Sequence, residues 1–177
     1  FTNYTAENLR RILFYSDPPG ILKNPEETSG IRETFPTRAI NPGIARGRLT
    51  GGNLSLICSL MGTPYEIDTK DKLLFIEDIG EQAYRIDRML NQLRLAGKLD
   101  AAAGIIFGKC NDCDNDSTVW DPSVGEVTDY HLKDLDCPVL YGMTIGHTSN
   151  QLTLPLGIEA ELDAEAGTLN ILESCVK

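Results

Sequence analysis

A buried strand followed directly by an amphipathic helix is apparent in residues 72–97, which read KLLFIEDIGEQAYRIDRMLNQLRLAG. The apolar run 72–76 is typical of a short buried strand, and two carboxylates follow it at once. From 81 to 96, apolar side chains recur at helical spacing, and Gly97 stands where the C-terminal glycine of a helix is expected. The apolar face of this helix consists of Ile86, Met89, Leu90 and Leu93.

Further elements lie on both sides of this unit, and together they predict an α/β or α+β domain. The C-terminal part alternates apolar and polar residues around a turn at Ala166 and Gly167, which is typical of antiparallel strands. The predicted strands cover residues 45–50, 72–76, 103–107, 139–141 and 152–172. The predicted helices cover residues 5–15, 54–60, 81–96 and 124–132.

The N-terminal part differs in composition from the rest. Residues 16–36 are rich in Pro, Gly, Glu and Thr and lack periodicity, so we predict a long surface connection there. We therefore place a boundary near residue 38, with a lead-in helix and linker over 1–38 and the main domain over 39–177. Because the chain begins with Phe1 rather than methionine, we expect a processed product or a piece of a longer protein.

The charge of the chain limits the classes of partner. Its 26 acidic and 16 basic residues give a formal charge of −10, whereas nucleic acids and anionic lipid surfaces attract basic proteins. We therefore predict neither nucleic-acid nor membrane binding. No apolar run is long enough to span a bilayer, and no signal peptide is recognisable. Five cysteines without a disulfide framework favour a reducing, cytoplasmic compartment.

Two side chains are candidates for acid–base chemistry. Glu77 lies at the tip of a predicted buried strand, where a carboxylate needs a hydrogen-bonding or cationic partner. His147 follows Gly146 on a loop after a short strand, and neutral imidazole is a natural proton carrier. A structural role is the alternative for each, since Glu77 could pair with an arginine or cap the helix that begins near Glu81. Asp78 competes with Glu77 for the same role, because spacing alone does not separate the two.

A nucleophile for such a pair is missing from the sequence. No serine stands in the Gly-x-Ser-x-Gly pattern that exposes a nucleophile on a sharp turn. Ser55 and Ser59 lie within a predicted helix, and Ser149 follows His147 too closely to be a separate partner. The sequence therefore supplies two thirds of a catalytic triad.

A double glycine precedes the helix predicted over 54–60. Backbone N–H groups at such a position can hold a carboxylate or a phosphate, so we predict that Gly51, Gly52 and Asn53 contribute to substrate binding. A tight strand-to-helix turn explains the two glycines equally well.

The pair Cys110 and Cys113 contains the residue types of a zinc site, with His131 and Cys137 as further ligands. No second CxxC motif is present, and polar neighbours favour a plain loop over 109–122. We therefore predict no metal and no cofactor, and keep a zinc-binding interaction domain as an alternative. His131 is otherwise predicted to be a surface residue of a weak helix.

Several motifs stand in a fixed order between residue 40 and the end of the chain. They are GGNLSL at 51–56, MGTPY at 61–65, LFIEDIGE at 74–81, YRIDRML at 84–90, QLRLAG at 92–97, Gly146-His147, and LTLPLG at 152–157. Together they resemble the LD-carboxypeptidase family over roughly three-quarters of the chain.

The resemblance implies a fold and a set of catalytic residues. Members of this family are serine peptidases with the order Ser-Glu-His, and Glu77 and His147 match the glutamate and the histidine. The serine lies in a Gly-x-Ser-Asp turn of an N-terminal α/β domain, which would precede Phe1 here. The C-terminal domain is a β-rich swivelling domain with flanking helices. The chain alone is therefore expected to be inactive, and its own N-terminal domain is an expected partner.

The resemblance also implies a substrate. The main activity of the family is removal of the terminal D-alanine from murein tetrapeptides in the cytoplasm, for cell-wall recycling. A sister branch, the microcin C self-immunity proteins, cleaves a peptidyl or aminoacyl nucleotide instead. Many members dimerise, so a homodimer is compatible with the resemblance. A non-catalytic module that binds peptidoglycan peptides is an alternative of a different class.

Overall fold

The strand–helix unit of residues 72–97 forms in the computed structural model, which describes residues 2–25, 37–113 and 122–176. The helices are α1 (Asn3–Leu13), α2 (Leu54–Ser59), α3 (Ala83–Leu95) and α4 (Val124–Leu132). The strands are β1 (Gly20–Lys23), β2 (Arg38–Asn41), β3 (Ile44–Asn53), β4 (Leu73–Ile79), β5 (Gly104–Asn111), β6 (Val139–Tyr141), β7 (Glu159–Asp163) and β8 (Thr168–Ile171). The prediction of a mixed α/β domain is confirmed.

The strands form one eight-stranded mixed sheet in the order β1-β8-β7-β3-β4-β5-β6-β2. The four strands β3, β4, β5 and β6 are mutually parallel, and the outer pairs are antiparallel. Central parallel strands are covered on both faces and therefore read as continuous apolar runs. The run at the start of β4 meets this condition, because every residue from Leu73 to Ile76 is buried.

The core consists of two apolar clusters, one on each face of the central strands. Leu74 and Ile76 of β4 pack with residues of α2, α3 and α4. Leu73 and Phe75, which alternate with them, pack with residues of β7 and β8 and with the segment around Ile145. Successive side chains of a strand point to opposite faces, so the same alternation decides where the residues after Ile76 point.

The prediction of a surface connection over 16–36 is wrong for its first part. Gly20–Lys23 form β1, which pairs antiparallel with β8 and buries Leu22. Residues 26–36 lie outside the described part of the chain. The boundary near residue 38 remains a prediction, although β1 precedes it and β2 begins at Arg38.

The predicted limits of three strands also need correction. The strand predicted over 72–76 extends to Ile79, so Glu77 lies within it rather than at its tip. The strand predicted over 103–107 continues to Asn111, where a polar loop was expected. The C-terminal hairpin begins at Glu159 rather than at 152. Among the described residues, no helix is long and apolar enough to cross a membrane.

Candidate active site

A β-bulge lies between β4 and β5 where the two candidate carboxylates occur. Ile76 pairs with Phe107 and Asp78 pairs with Cys110, so Glu77 alone opposes two residues of β5. Glu77 points to the face shared by Leu73 and Phe75, and Asp78 points to the face of the helices. Bulges often lie next to active sites, where they redirect side chains. The alternation along β4 therefore assigns different partners to Glu77 and Asp78.

Glu77 and His147 form a hydrogen-bonded pair. The Nδ1 atom of His147 lies 2.9 Å from Oε2 of Glu77. The side chain of Glu77 is 9% exposed and that of His147 is 52% exposed. Within the described ranges, the Nε2 atom of His147 has no hydrogen-bond partner. The carboxylate of the pair is thus buried, whereas the Nε2 edge of the imidazole is accessible.

A cavity of about 400 Å³ borders this pair. Apolar side chains line most of it, among them Phe75, Ile145 and Leu154. The predicted site residues Glu77 and His147 lie in its wall, so the structure brings together two side chains that are 70 positions apart. Apolar walls with a few polar groups are typical of small-molecule sites.

Two glycines allow the carboxylate to reach the histidine. Gly146 has a φ of +110°, and a Cβ atom there would lie 2.6 Å from Oε2 of Glu77. A Cβ atom at Gly108 would lie 2.7 Å from the carbonyl oxygen of Ile145. A side chain at position 146 would collide with the carboxylate of Glu77, which explains why glycine precedes His147.

Three side chains outside the predicted site hold the backbone of residues 146–149 in place. The Nδ2 atom of Asn111 donates to the carbonyl oxygen of His147 at 2.6 Å. The Nε2 atom of Gln151 donates to the carbonyl oxygen of Gly146 at 2.7 Å. The hydroxyl of Thr5, in α1, donates to the carbonyl oxygen of Ser149 at 3.0 Å. The sequence carries no signal for the contacts of Asn111 and Thr5, because each joins distant segments through a common polar residue type. The contact of Gln151 lies within its own loop.

Asp78 is a structural carboxylate, although the sequence made it a competitor of Glu77. It is 2% exposed, and its oxygens accept hydrogen bonds from Nδ2 of Asn53 and from the backbone N–H groups of Ser55 and Ile79. The hydroxyl of Ser55 also donates to it, at 2.8 Å. Four donors therefore satisfy this buried carboxylate and join β4 to the start of α2.

We expect Asp78→Asn to lower the free energy of unfolding by about 3 kcal/mol, because an amide N–H₂ group would face donors that need an acceptor. Urea unfolding followed by circular dichroism measures the loss. The matched control is Asp68→Asn, since the Asp68 side chain is 69% exposed and its ion pair with Lys72 lies in solvent. Equal stability of the two variants would contradict the structural role of Asp78.

The three residues predicted to bind substrate border a second cavity of about 500 Å³. Gly51, Gly52 and Asn53 lie at the end of β3, and Leu156 lines both this cavity and the one beside His147. The helix N-terminus next to them is already occupied, because the N–H groups of Ser55 and Leu56 donate to Asp78 and to Asn53. A role of this segment in substrate binding remains a prediction.

His131 is not a surface residue, contrary to the prediction. It is 3% exposed, and its Nε2 atom lies 2.8 Å from Oδ1 of Asp87, which joins α4 to α3. The weak amphipathic pattern around it did not reveal this face, because polar residues surround it in the sequence. In the part of the chain that the structure describes, no three His, Cys, Asp or Glu side chains come together to hold a metal ion.

Comparisons with known proteins agree with the motifs. The model of the LD-carboxypeptidase C-terminal domain matches residues 46–162. A Bacillus subtilis protein named "probable murein peptide carboxypeptidase" is 44% identical over 136 residues, which are 77% of this chain and 43% of that protein. The Escherichia coli microcin C7 self-immunity protein MccF is 34% identical over 133 residues, 74% of this chain and 38% of that protein. The chain thus spans less than half the length of these relatives.

Solved structures show the same fold. MccF in complex with aspartyl sulfamoyl adenosine superposes with a TM-score of 0.77 at 26% identity, over 97% of this chain and 56% of that one. A muramoyltetrapeptide carboxypeptidase from Oxalobacter formigenes superposes with a TM-score of 0.73 at 26% identity, over 97% of this chain and 54% of that one.

Proposed function

This chain belongs to the LD-carboxypeptidase family, and from that premise we propose that it supplies the glutamate and histidine of a serine peptidase that removes D-alanine from murein tetrapeptides. The observation that carries the proposal is the hydrogen bond of 2.9 Å between Glu77 and His147, with the far edge of the imidazole open. Cell-wall recycling in the cytoplasm is the process that such an activity serves.

The pairing fixes the tautomer that the chemistry needs. An ionised carboxylate only accepts hydrogen bonds, so Nδ1 of His147 carries the hydrogen and donates a hydrogen bond to Oε2 of Glu77. Nε2 of the neutral ring then holds a lone pair and can act as a general base. When Nε2 takes a proton, the nearby carboxylate stabilises the imidazolium ion.

The remaining steps involve groups outside these residues. His147 takes the proton of a serine in an N-terminal domain and returns it to the amino group of the leaving D-alanine. Backbone N–H groups of that domain hold the oxyanion, which is usually the largest electrostatic contribution to acyl transfer. Glu77 acts through His147 and orients its ring. The cavity of about 400 Å³ beside the pair is the space for the peptide end.

A second candidate function is hydrolysis of an aminoacyl or peptidyl nucleotide. The observation that favours it is the superposition with MccF, which was solved with aspartyl sulfamoyl adenosine. The higher identity to the murein peptide carboxypeptidase, 44% against 34%, favours the first candidate. A non-catalytic peptide-binding module is disfavoured, because binding alone gives no reason for a glutamate that orients an exposed histidine.

The ratio of kcat/KM for two substrates separates the candidates. We expect kcat/KM of the full-length protein to be higher for release of D-alanine from a murein tetrapeptide than for release of the amino acid from an aminoacyl sulfamoyl adenosine. The reverse ratio would assign the protein to the nucleotide branch. Binding of the tetrapeptide without turnover of either compound would support the binding module instead.

A further inference from the structure

The CxxC pair at the end of β5 is not used by the proposed triad. Cys110 and Cys113 are both buried, at 0% and 1% exposure. Asp112 between them has a φ of +56°, which brings the chain round in a tight turn. The thiol of Cys113 donates to the carbonyl oxygen of Asn111 at 3.4 Å. Two buried sulfur atoms thus lie on either side of an exposed turn residue, one at the end of β5 and one just after the turn.

The two neighbouring thiols differ in acidity. The side chain of Cys110 holds the pKa of Cys113 below its usual range. The backbone N–H groups of Glu81 and Gly80 act in the same direction, against the effect of burial. The side chain of Cys113 and burial raise the pKa of Cys110. Cys113 therefore forms a thiolate more readily than Cys110, an asymmetry that is also found in dithiol pairs that undergo exchange.

Asn111 connects this turn to the candidate catalytic histidine. Its side chain donates to the carbonyl oxygen of His147 at 2.6 Å. Its own carbonyl oxygen accepts from the N–H group of Gly80 at 2.8 Å and from the thiol of Cys113. A change in the bonding of Cys113 therefore acts on a residue that holds the backbone of His147.

We propose that Cys110 and Cys113 form a thiol–disulfide site, and that formation of the disulfide changes the position of the His147 imidazole ring. The co-reactant is a small-molecule disulfide. This goes beyond the proposed peptidase function, and its test does not use peptidase activity.

The disulfide forms in two successive thiol–disulfide exchange steps. The thiolate of Cys113 attacks one sulfur of the small disulfide, which forms a mixed disulfide and releases one small thiolate. The Cys110 sulfur loses its proton and attacks the Cys113 sulfur, which closes the internal disulfide and releases the second small thiol. The protein gives up two protons and two electrons, and the small disulfide becomes two thiols.

Formation of the disulfide removes the hydrogen bond from the Cys113 thiol to the carbonyl oxygen of Asn111. The sulfur–sulfur separation shortens to about 2.05 Å, and Cys113 no longer carries a hydrogen for the carbonyl oxygen of Asn111. The turn must adjust around Asn111, and the hydrogen bond to His147 adjusts with it. Because both sulfurs are buried, we expect oxidation to be slow, so equilibrium is the proper comparison.

The test equilibrates the chain with mixtures of glutathione and glutathione disulfide, blocks remaining thiols with a maleimide and maps the peptides by mass spectrometry. We expect one internal disulfide between Cys110 and Cys113. Cys58 and Cys137 are internal controls: because burial raises the pKa of each to about 11, both should remain thiols and be recovered as maleimide adducts when blocking is completed under denaturing conditions. In parallel, ¹⁵N spectra of the imidazoles record the titration of both histidines, and we expect the midpoint of His147 to shift while that of His131 stays.

Two matched cysteine variants test whether the effect on His147 depends on this disulfide. Cys113→Ser should abolish both the disulfide and the shift of His147, whereas Cys137→Ser should retain both. If Cys113→Ser does not fold, Cys110→Ser takes its place, and the comparison of oxidised and reduced wild-type chain stands by itself. No bond between Cys110 and Cys113 at equilibrium overturns the proposal, and so does a bond that leaves the titration of His147 unchanged.

Discussion

Replacing His147 by alanine in the full-length protein is expected to lower kcat for D-alanine release by roughly 10⁴-fold or more, as loss of a triad histidine does. The Nε2 atom of His147 is the base in the proposal, and no other imidazole is available at the cavity beside Glu77. KM should change little, since His147 acts on the serine rather than holding the peptide. Steady-state kinetics on a murein tetrapeptide separate the two constants.

The matched control is His131→Gln, because His131 is the only other histidine in the chain. It lies in α4 and contacts Asp87 of α3, so the variant should lose stability and keep its kcat per folded molecule. If His147→Ala retained activity within tenfold of the wild type, His147 would have no part in the mechanism. A loss in both variants would instead indicate a defect of folding.

Gly51→Ala is expected to lower the free energy of unfolding by about 4 kcal/mol or more, the largest stability effect that we predict. A Cβ atom at Gly51 would lie 2.0 Å from the carbonyl oxygen of Phe75, in the neighbouring strand β4. Backbone cannot give way without separating the two strands, and the φ of +142° is unfavourable for alanine. Urea unfolding of the purified variant measures the effect.

The neighbouring residue gives a matched control with almost the same backbone. Gly52 has a φ of +153°, but no atom lies within 4 Å of the position of its Cβ. Gly52→Ala should therefore lose only the conformational contribution, about 1–2 kcal/mol. Similar losses for the two variants would contradict the close packing of β3 on β4. The difference also tests why Gly51 is glycine, since packing on Phe75 explains it without a substrate.

The sequence predicted most elements where a local pattern was strong. The unit over 72–97 appears close to its expected limits, because apolar periodicity and a terminal glycine act locally. Strand β1 was missed, since its four residues bury only Leu22 and stand next to prolines. Strand β5 was ended too early, because the polar Lys109 and Asn111 are covered by segments far away in the sequence.

The candidate site was predictable in part. Alternation along 73–78 places Glu77 and Asp78 on opposite faces, but both faces are apolar, so it does not show which carboxylate meets His147. The pairing of Glu77 with His147 spans 70 residues and depends on the bulge in β5 and on Gly146. No local pattern reports such a contact, so only the family resemblance pointed to it. The supporting hydrogen bond from Asn111 left no trace in the sequence for the same reason.

The most direct test of the proposed triad, divided between two domains, is D-alanine release from a murein tetrapeptide by this chain, with and without the N-terminal domain that the proposal requires. We expect no release by the chain alone and release when the N-terminal domain is supplied. Release by the chain alone would contradict the proposal, because a nucleophile would then lie within these 177 residues. No release even with both domains present would contradict the murein substrate.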